Sequence, residues 1–75
     1  MSKMKPVTSR EMIRILEKAG YWINRWKGSH AIMENGDRII SVPCHSSKTL
    51  PIGTQRGIIK DAGLSVDEFT ELLKG

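Results

Sequence analysis

The chain has 75 residues and a mass of 8.4 kDa, so we expect residues 1–75 to form a single domain with one thin core. A core of this size excludes a deep enclosed cleft and restricts any chemistry to an open face or a loop. The formal net charge is +4, but residues 1–60 carry eleven Lys or Arg against four Asp or Glu, whereas residues 61–75 carry one against four. The basic body favours a polyanionic partner, with nucleic acid preferred to a membrane surface.

The cysteines and histidines of the sequence are too few for a disulfide-stabilised fold or a zinc site. The single Cys44 cannot form an internal disulfide, and together with two histidines it falls short of a zinc cage. The sequence has no stretch typical of a membrane-spanning helix or a signal peptide. We therefore predict a cytoplasmic chain without metal, cofactor or membrane contact. The alternative to a polyanion partner is a small basic domain whose charge only keeps it in solution.

The first predicted helix starts at a capping box, because Thr8 is followed three residues later by Glu11. Apolar residues then repeat at helical spacing until Gly20 stops the helix: Met12, Ile15, Leu16 and Ala19. Basic residues follow one another at four-residue spacing on the other side: Arg10, Arg14 and Lys18. This basic ridge either lies along the phosphates of a nucleic acid or is an ordinary solvated face.

Three strands are predicted next, over residues 21–26, 30–34 and 38–42. The Asn35-Gly36 dipeptide predicts a type I′ turn that pairs Glu34 with Asp37. Alternation then gives one more uniformly apolar face, which we expect to lie against the helices: Ala31, Met33, Ile40 and Val42. His30 is expected on the opposite, open face. Even spacing places Trp22 and Trp26 on a common strand face, where they either stack on bases or, for at least one of them, pack in the core.

Residues 43–53 form a polar loop, after which a second helix is predicted from Thr54 until Gly63 stops it. Ser65 and Glu68 make a second capping box, which starts a short final helix. The order is helix, three antiparallel strands, helix and short helix. We therefore predict an α+β fold with two layers, in which the helices cover one face of the sheet.

His30 is the sharpest candidate for chemistry, because imidazole is the side chain best suited to proton transfer near neutral pH. It follows the turn residues Gly28 and Ser29, and the cations Arg25 and Lys27 precede it. Cleavage of an RNA phosphodiester needs a base, an acid and positive charge around the phosphate, which these residue types can supply. The alternative is a histidine that merely occupies a turn.

The loop before the second helix holds a further set of candidates. His45 and Lys48 precede the backbone amides at the predicted helix start and could hold a phosphate there, or the loop could be an ordinary connection with Thr54 as cap. Cys44 is either a nucleophile or, more simply, a small packed thiol.

The ordered set of these motifs resembles HicA-type toxins, the mRNA interferases of HicBA toxin–antitoxin modules. The resemblance extends from Thr8 to Phe69 and rests on these segments: Leu16-Glu17-Lys18-Ala19-Gly20, Lys27-Gly28-Ser29-His30, Val42-Pro43-Cys44-His45 with Lys48, Gly53-Thr54, Ile58-Ile59-Lys60, Ala62-Gly63-Leu64-Ser65 and Glu68-Phe69. One departure is Gln55, which stands where the family usually has an apolar residue.

The resemblance implies a double-stranded-RNA-binding-domain-like fold and the role of toxin in a type II toxin–antitoxin system. It also implies metal-independent cleavage of mRNA with His30 as the catalytic residue, Gly28 and Ser29 shaping its turn, and a HicB-type antitoxin that covers the active face. RNA or phosphate binding is our own inference for the remaining candidates: Arg10, Arg14, Lys18, Arg25, Lys27, His45 and Lys48. The alternative function is a non-catalytic RNA-binding module that uses the basic ridge.

Overall fold

The computed structural model describes residues 4–45 and 48–75. Its elements, in chain order, are α1 (Ser9–Lys18), β1 (Trp22–Lys27), β2 (His30–Glu34), β3 (Ile39–Pro43), α2 (Ile52–Asp61) and α3 (Val66–Lys74). The strands form one antiparallel sheet in the order β1-β2-β3. Helices α1 and α2 pack against β3, and α3 packs against α1. This arrangement confirms the predicted α+β fold and is consistent with a double-stranded-RNA-binding-domain-like architecture.

Both predicted capping boxes are present. Thr8 Oγ1 accepts from the backbone N–H of Glu11, and the Glu11 carboxylate accepts in return from the N–H of Thr8. Hydrogen bonding to the backbone of Thr8 lowers the pKa of Glu11 below its ordinary value. Ser65 and Glu68 form the same reciprocal pair at the start of α3. Within the described ranges, no helix is long and apolar enough to cross a membrane.

The two faces of the sheet differ as the alternation predicts. The side chains that face the helices are at most 2% exposed: Ala31, Met33, Ile40 and Val42. They join apolar residues from the helices and the segments beside them in one core, which includes Met12, Leu16, Ile59 and Phe69. His30 lies on the other face of the sheet. Of the described helices, α1 and α2 contact the sheet, and they do so on the side opposite His30.

The predicted type I′ turn is wrong. Glu34 pairs with Ile39 and not with Asp37, so the β2–β3 connection contains the four residues 35–38. The side chain of Asn35 holds this longer loop, because its Oδ1 accepts from the backbone N–H groups of Asp37 and Arg38 at 3.0 and 2.8 Å. The register is displaced by two residues from the predicted one, which preserves every side-chain face because side chains alternate with a period of two.

The shared face predicted for the two tryptophans is also wrong. The register between β1 and β2 shifts between Ile23 and Arg25, so Asn24 is an extra residue in a β-bulge, and it donates from Nδ2 to Glu34. Trp22 therefore lies on the open face opposite Glu34, whereas Trp26 lies opposite Ala31 on the side of the helices. Neither packs in the core, since they are 51% and 54% exposed.

Helix α2 begins earlier than predicted, at Ile52, and its N-cap Pro51 offers no side-chain hydrogen bond, so Thr54 is not the cap. Gln55 in its first turn is fully buried. Its Oε1 accepts from the N–H of Val7 at 3.0 Å, and its Nε2 donates to the carbonyl of Lys5 at 2.7 Å. Gln55 stands where the family usually has an apolar residue, and here its amide has a structural role because it ties the segment before α1 to α2.

Replacing Gly57 by alanine should stabilise the protein. Gly57 lies inside α2 without a positive φ, and a Cβ there would meet no atom within 4 Å. Because alanine in a helix interior is favoured over glycine by about 1 kcal/mol, we expect Gly57→Ala to raise the free energy of unfolding by up to that amount in urea titrations.

Gly63→Ala is the matched control. Gly63 has φ +74°, and its Cβ would lie 3.3 Å from Cζ of Arg38, so this variant should be destabilised. A Gly57→Ala protein that unfolds at the same or lower urea concentration than the parent would contradict the account of α2.

Candidate active site

His30 is the first residue of β2 and follows a two-residue turn. Lys27 and His30 pair directly, so Gly28 and Ser29 alone connect β1 to β2. Gly28 has φ +60°, the sign that a type II′ turn requires at its first position and that other residues rarely adopt. The tight turn fixes His30 at the end of the sheet, half-buried on the open face.

The end of β3 brings His45 to the same place. Pro43 pairs with His30, and the backbone N–H of the next residue, Cys44, donates to the carbonyl of Ser29 at 2.9 Å. His45 follows at once, and its Nε2 lies 3.2 Å from Nε2 of His30. The two rings meet edge to face, with centroids 5.0 Å apart and planes at 70°. We call His30 and His45 the histidine pair.

Two serines occupy the remaining ring nitrogens of the histidine pair. Oγ of Ser29 is hydrogen-bonded to Nδ1 of His45 at 2.8 Å, and Oγ of Ser41 approaches Nδ1 of His30 at 3.4 Å. All four ring nitrogens therefore have a partner in one continuous chain, Ser41–His30–His45–Ser29. Such a chain orients both rings and couples the proton on one to the proton on the other.

The contact between the two Nε2 atoms restricts where protons can be. A hydrogen bond there needs one N–H donor and one bare nitrogen acceptor. When both rings are neutral, one ring must be protonated at Nε2 and the other at Nδ1. The histidine pair therefore presents a proton donor and a proton acceptor side by side, which are the two functions that acid–base catalysis requires.

Cations flank the histidine pair on the open face. Cross-strand partners lie on the same side of a sheet, so Lys27 opposite His30 and Arg25 opposite Ile32 both belong to that face, and both are exposed. Lys48 is also exposed and adjoins Thr49, which bridges to Thr8 before α1. The structure thus places His45 and Lys27 beside His30 and Arg25 on the same face. Lys48 lies in the loop between β3 and α2, next to the bridge from Thr49 to Thr8.

The basic ridge of α1 divides into two parts. Arg10 and Arg14 line an open groove of about 970 Å³ together with Trp26 and Cys44. The histidine pair lies outside this lining, but Cys44 connects the groove to His45. Lys18 lies further along α1, where its Nζ donates to the carbonyl of Leu72 in α3 at 3.1 Å. Two of the three predicted ridge residues therefore share a surface with an exposed aromatic side chain.

Comparison with known protein families identifies a matching family. A family model for the HicA toxin of bacterial toxin–antitoxin systems covers residues 9–64, most of the chain. The chain belongs to the HicA toxin family. It is therefore the toxin of a toxin–antitoxin system, and an antitoxin is implied as its partner. A search of curated protein sequences finds no match.

In this HicA chain the thiol of Cys44 is partly buried against the core, and its Sγ lies 3.4 Å from the carbonyl of Val42. It is a packed, free cysteine. Among residues 4–45 and 48–75, no three His, Cys, Asp or Glu side chains are grouped so as to hold a metal ion.

The far end of the open face carries two exposed apolar side chains beside an acidic one. Trp22 and Ile39 lie on either side of Glu34 across the three strands. Ile39 is 71% exposed, more than any other large hydrophobic side chain described. The open face of this HicA chain therefore combines cations and imidazoles at one end with exposed apolar surface at the other.

The proton arrangement of the histidine pair can be measured by ¹⁵N NMR of the two rings. At a pH where both rings are neutral, we expect one histidine to be protonated at Nε2 and the other at Nδ1, because the contact between the Nε2 atoms admits a single proton. Two rings that both carry the proton on Nε2 would contradict the contact. His45→Gln supplies the control, since it leaves the His30 signals alone in the spectrum.

Proposed function

We propose that this HicA toxin is a metal-independent endoribonuclease that cleaves mRNA, with His30 as a general acid or base. The observation that carries the proposal is the placement of the His30 imidazole, held at the end of the sheet beside Lys27 on a face open to an extended substrate. Family membership supports the toxin role of the same chain. The two histidines and one cysteine of the sequence favour imidazole chemistry over a metal centre.

In the proposed reaction, the ribose 2′-oxygen of the substrate loses its proton to a base and forms a bond to the neighbouring phosphorus. The bond between phosphorus and the 5′-oxygen breaks, and that oxygen receives a proton from an acid. The products are a 2′,3′-cyclic phosphate and a 5′-hydroxyl. Lys27 and Arg25 offset the negative charge that builds up on the phosphate. Acid–base catalysis of this kind typically accelerates a reaction by about 10²–10⁴-fold.

The groove beside α1 offers a path for the RNA on either side of the cleaved bond. Arg10 and Arg14 can bind phosphates, and the exposed ring of Trp26 can stack on a base. The groove reaches Cys44, the neighbour of His45. A single strand could therefore pass from the groove around the end of β3 to the histidine pair.

A HicB-type antitoxin that covers the open face is the partner that we propose for this cytoplasmic toxin. The exposed side chains of Trp22 and Ile39 give such a partner apolar surface to bury. An acidic surface on the antitoxin would complement Arg25 and Lys27. Binding there would exclude RNA from His30.

A non-catalytic RNA-binding module is the alternative function. The groove favours it, because Arg10, Arg14 and Trp26 form a basic and aromatic surface that does not include the histidine pair. Such a module would bind RNA and leave it intact, so the distinction depends on whether purified protein produces fragments.

Replacing His30 by alanine should slow cleavage strongly and leave RNA binding intact. With end-labelled single-stranded RNA, we expect His30→Ala to lose about 10²–10⁴-fold in cleavage rate, since it removes a group that transfers a proton. Affinity for the RNA and its salt dependence should stay close to those of the parent. Cleavage by the parent should persist in EDTA and should stop when the nucleotide at the cleaved bond is a deoxynucleotide.

Lys60→Ala is the matched control for His30→Ala, because Lys60 lies on the exposed side of α2 and belongs to neither the site nor the groove. Full cleavage by His30→Ala, or loss of cleavage in EDTA, would contradict the proposed mechanism. RNA binding without fragments from the parent protein would establish the binding module instead.

The RNA path predicts a change in salt dependence. Each phosphate contact to a single strand contributes about 0.7 to the slope of log K against log salt concentration. The double variant Arg10→Ala/Arg14→Ala should therefore bind RNA more weakly and lower the slope by roughly 1.4 when two contacts are lost. The double variant Arg56→Ala/Lys60→Ala removes the same charge from α2. An equal change in both double variants would show that RNA binding depends on the net charge of the protein and not on the position of Arg10 and Arg14.

A further inference from the structure

Nε2 of His45 lies 3.2 Å from Nε2 of His30, and the proposed reaction leaves its second proton transfer unassigned. We propose that His45 is a second catalytic residue, so that one histidine of the pair takes the proton from the 2′-hydroxyl and the other gives a proton to the leaving 5′-oxygen. We further propose that Ser29 is the positioning residue of His45. Both statements rest on the ribonuclease function proposed above.

The first argument is that the reactive nitrogens face each other. The Nε2 atoms are 3.2 Å apart, and each Nδ1 is occupied by a serine on the outer side of the pair. A reacting phosphodiester needs its base and its acid on opposite sides, at the entering and the leaving oxygen. Two Nε2 atoms that point at a common space provide that arrangement once the substrate lies between them.

The second argument is that the pair can open. His30 belongs to β2 and is half-buried, whereas His45 is exposed in the chain beyond β3. A tilt of the His45 ring about its hydrogen bond to Ser29 would replace the contact between the two Nε2 atoms with a phosphate while the sheet stays unchanged. The contact between the two rings is then the closed form of the pair.

The protons balance with one proton shared by the pair. Before reaction one ring is neutral and the other is an imidazolium. The neutral ring accepts the 2′-hydroxyl proton as the 2′-oxygen bonds to phosphorus, and the imidazolium gives its proton to the 5′-oxygen as that bond breaks. The two rings end with their states exchanged, and the hydrogen-bonded contact between the Nε2 atoms allows the proton to return before the next substrate.

Ser29, the serine of the turn between β1 and β2, has a defined role in this proposal. Its Oγ holds Nδ1 of His45 at 2.8 Å, and its carbonyl accepts from the N–H of Cys44 at 2.9 Å. The same residue therefore fixes both the backbone before His45 and the direction of its ring. The groups that surround the pair are Ser29 in the turn, Ser41 on β3 and the cation Lys27 on β1.

The experiment compares His30→Gln, His45→Gln and the parent on two RNA substrates. One is an ordinary RNA, and the other has sulfur in place of the 5′-bridging oxygen at the cleaved bond. A thiolate leaves without a proton, so this substrate does not need the acid. We expect both variants to lose about 10²–10⁴-fold on ordinary RNA. One variant, and only one, should regain most of its rate on the sulfur substrate, and each variant should lose one limb of the bell-shaped pH profile of the parent.

Ser29→Ala tests the positioning residue. We expect a loss of up to about 10²-fold in rate, since a misplaced catalytic group can cost that much, with both limbs of the pH profile retained. Ser29→Thr keeps the hydroxyl and should restore the rate. A loss that threonine does not restore would contradict the role of Ser29. Thermal unfolding of every variant shows whether it is folded, and the exposure of His45 and Ser29 predicts that the variants at these two positions are.

The outcomes separate this inference from the proposed function. If the parent cleaves RNA, His30→Gln is inactive and His45→Gln keeps its rate and pH profile, then His45 has no catalytic role and the ribonuclease proposal stands. Rescue of both variants, or of neither, by the sulfur substrate would also overturn the division of roles. If the parent leaves RNA intact, the ribonuclease proposal itself fails.

Discussion

The inward packing of Ala31 and Met33 on the central strand is the constraint on which the rest of the structure depends. Both side chains are fully buried against the helices, and alternation along the strand then forces His30 and Ile32 outward. A slip of one residue would expose the methionine and bury the imidazole, so the hydrophobic core selects the side of the sheet on which the candidate site lies. In a chain of 75 residues, stability and the orientation of the site are thus set by the same few contacts.

The candidate residues lie on both sides of a thin sheet. The histidine pair and its cations lie on the open face, whereas Arg10, Arg14 and Trp26 lie on the side of α1. The two surfaces meet where β3 ends and the chain continues through Cys44 to His45. Gln55 supports the segment before α1 with two hydrogen bonds from a fully buried amide. Loss of that amide would leave the buried N–H of Val7 without its partner, at a cost of about 1–3 kcal/mol.

Local signals in the sequence are sufficient for the order of the elements, the two capping boxes and the buried faces of β2 and β3, because these depend on neighbouring residues and on periodicity. The wrong predictions, of the turn between β2 and β3 and of the face of the tryptophans, concern geometry that no local sequence pattern encodes. Asn35-Gly36 is compatible with turns of several lengths, and here the Asn35 side chain stabilises a longer one. Nothing around Asn24 distinguishes a bulge from a regular strand. Both histidines could be named as candidates, but their contact depends on the register that pairs Pro43 with His30, which the predicted turn misplaced by two residues.

The bulge at Asn24 also affects how the sheet behaves toward other chains. With the order β1-β2-β3, β1 is an edge strand whose outer backbone groups could pair with a strand of a neighbouring molecule. The extra residue interrupts the regular spacing of those groups and increases the local twist, and charged side chains follow at Arg25 and Lys27. An edge shaped in this way resists extension into a larger sheet, so a small domain can keep one face of its sheet uncovered with less risk of aggregation.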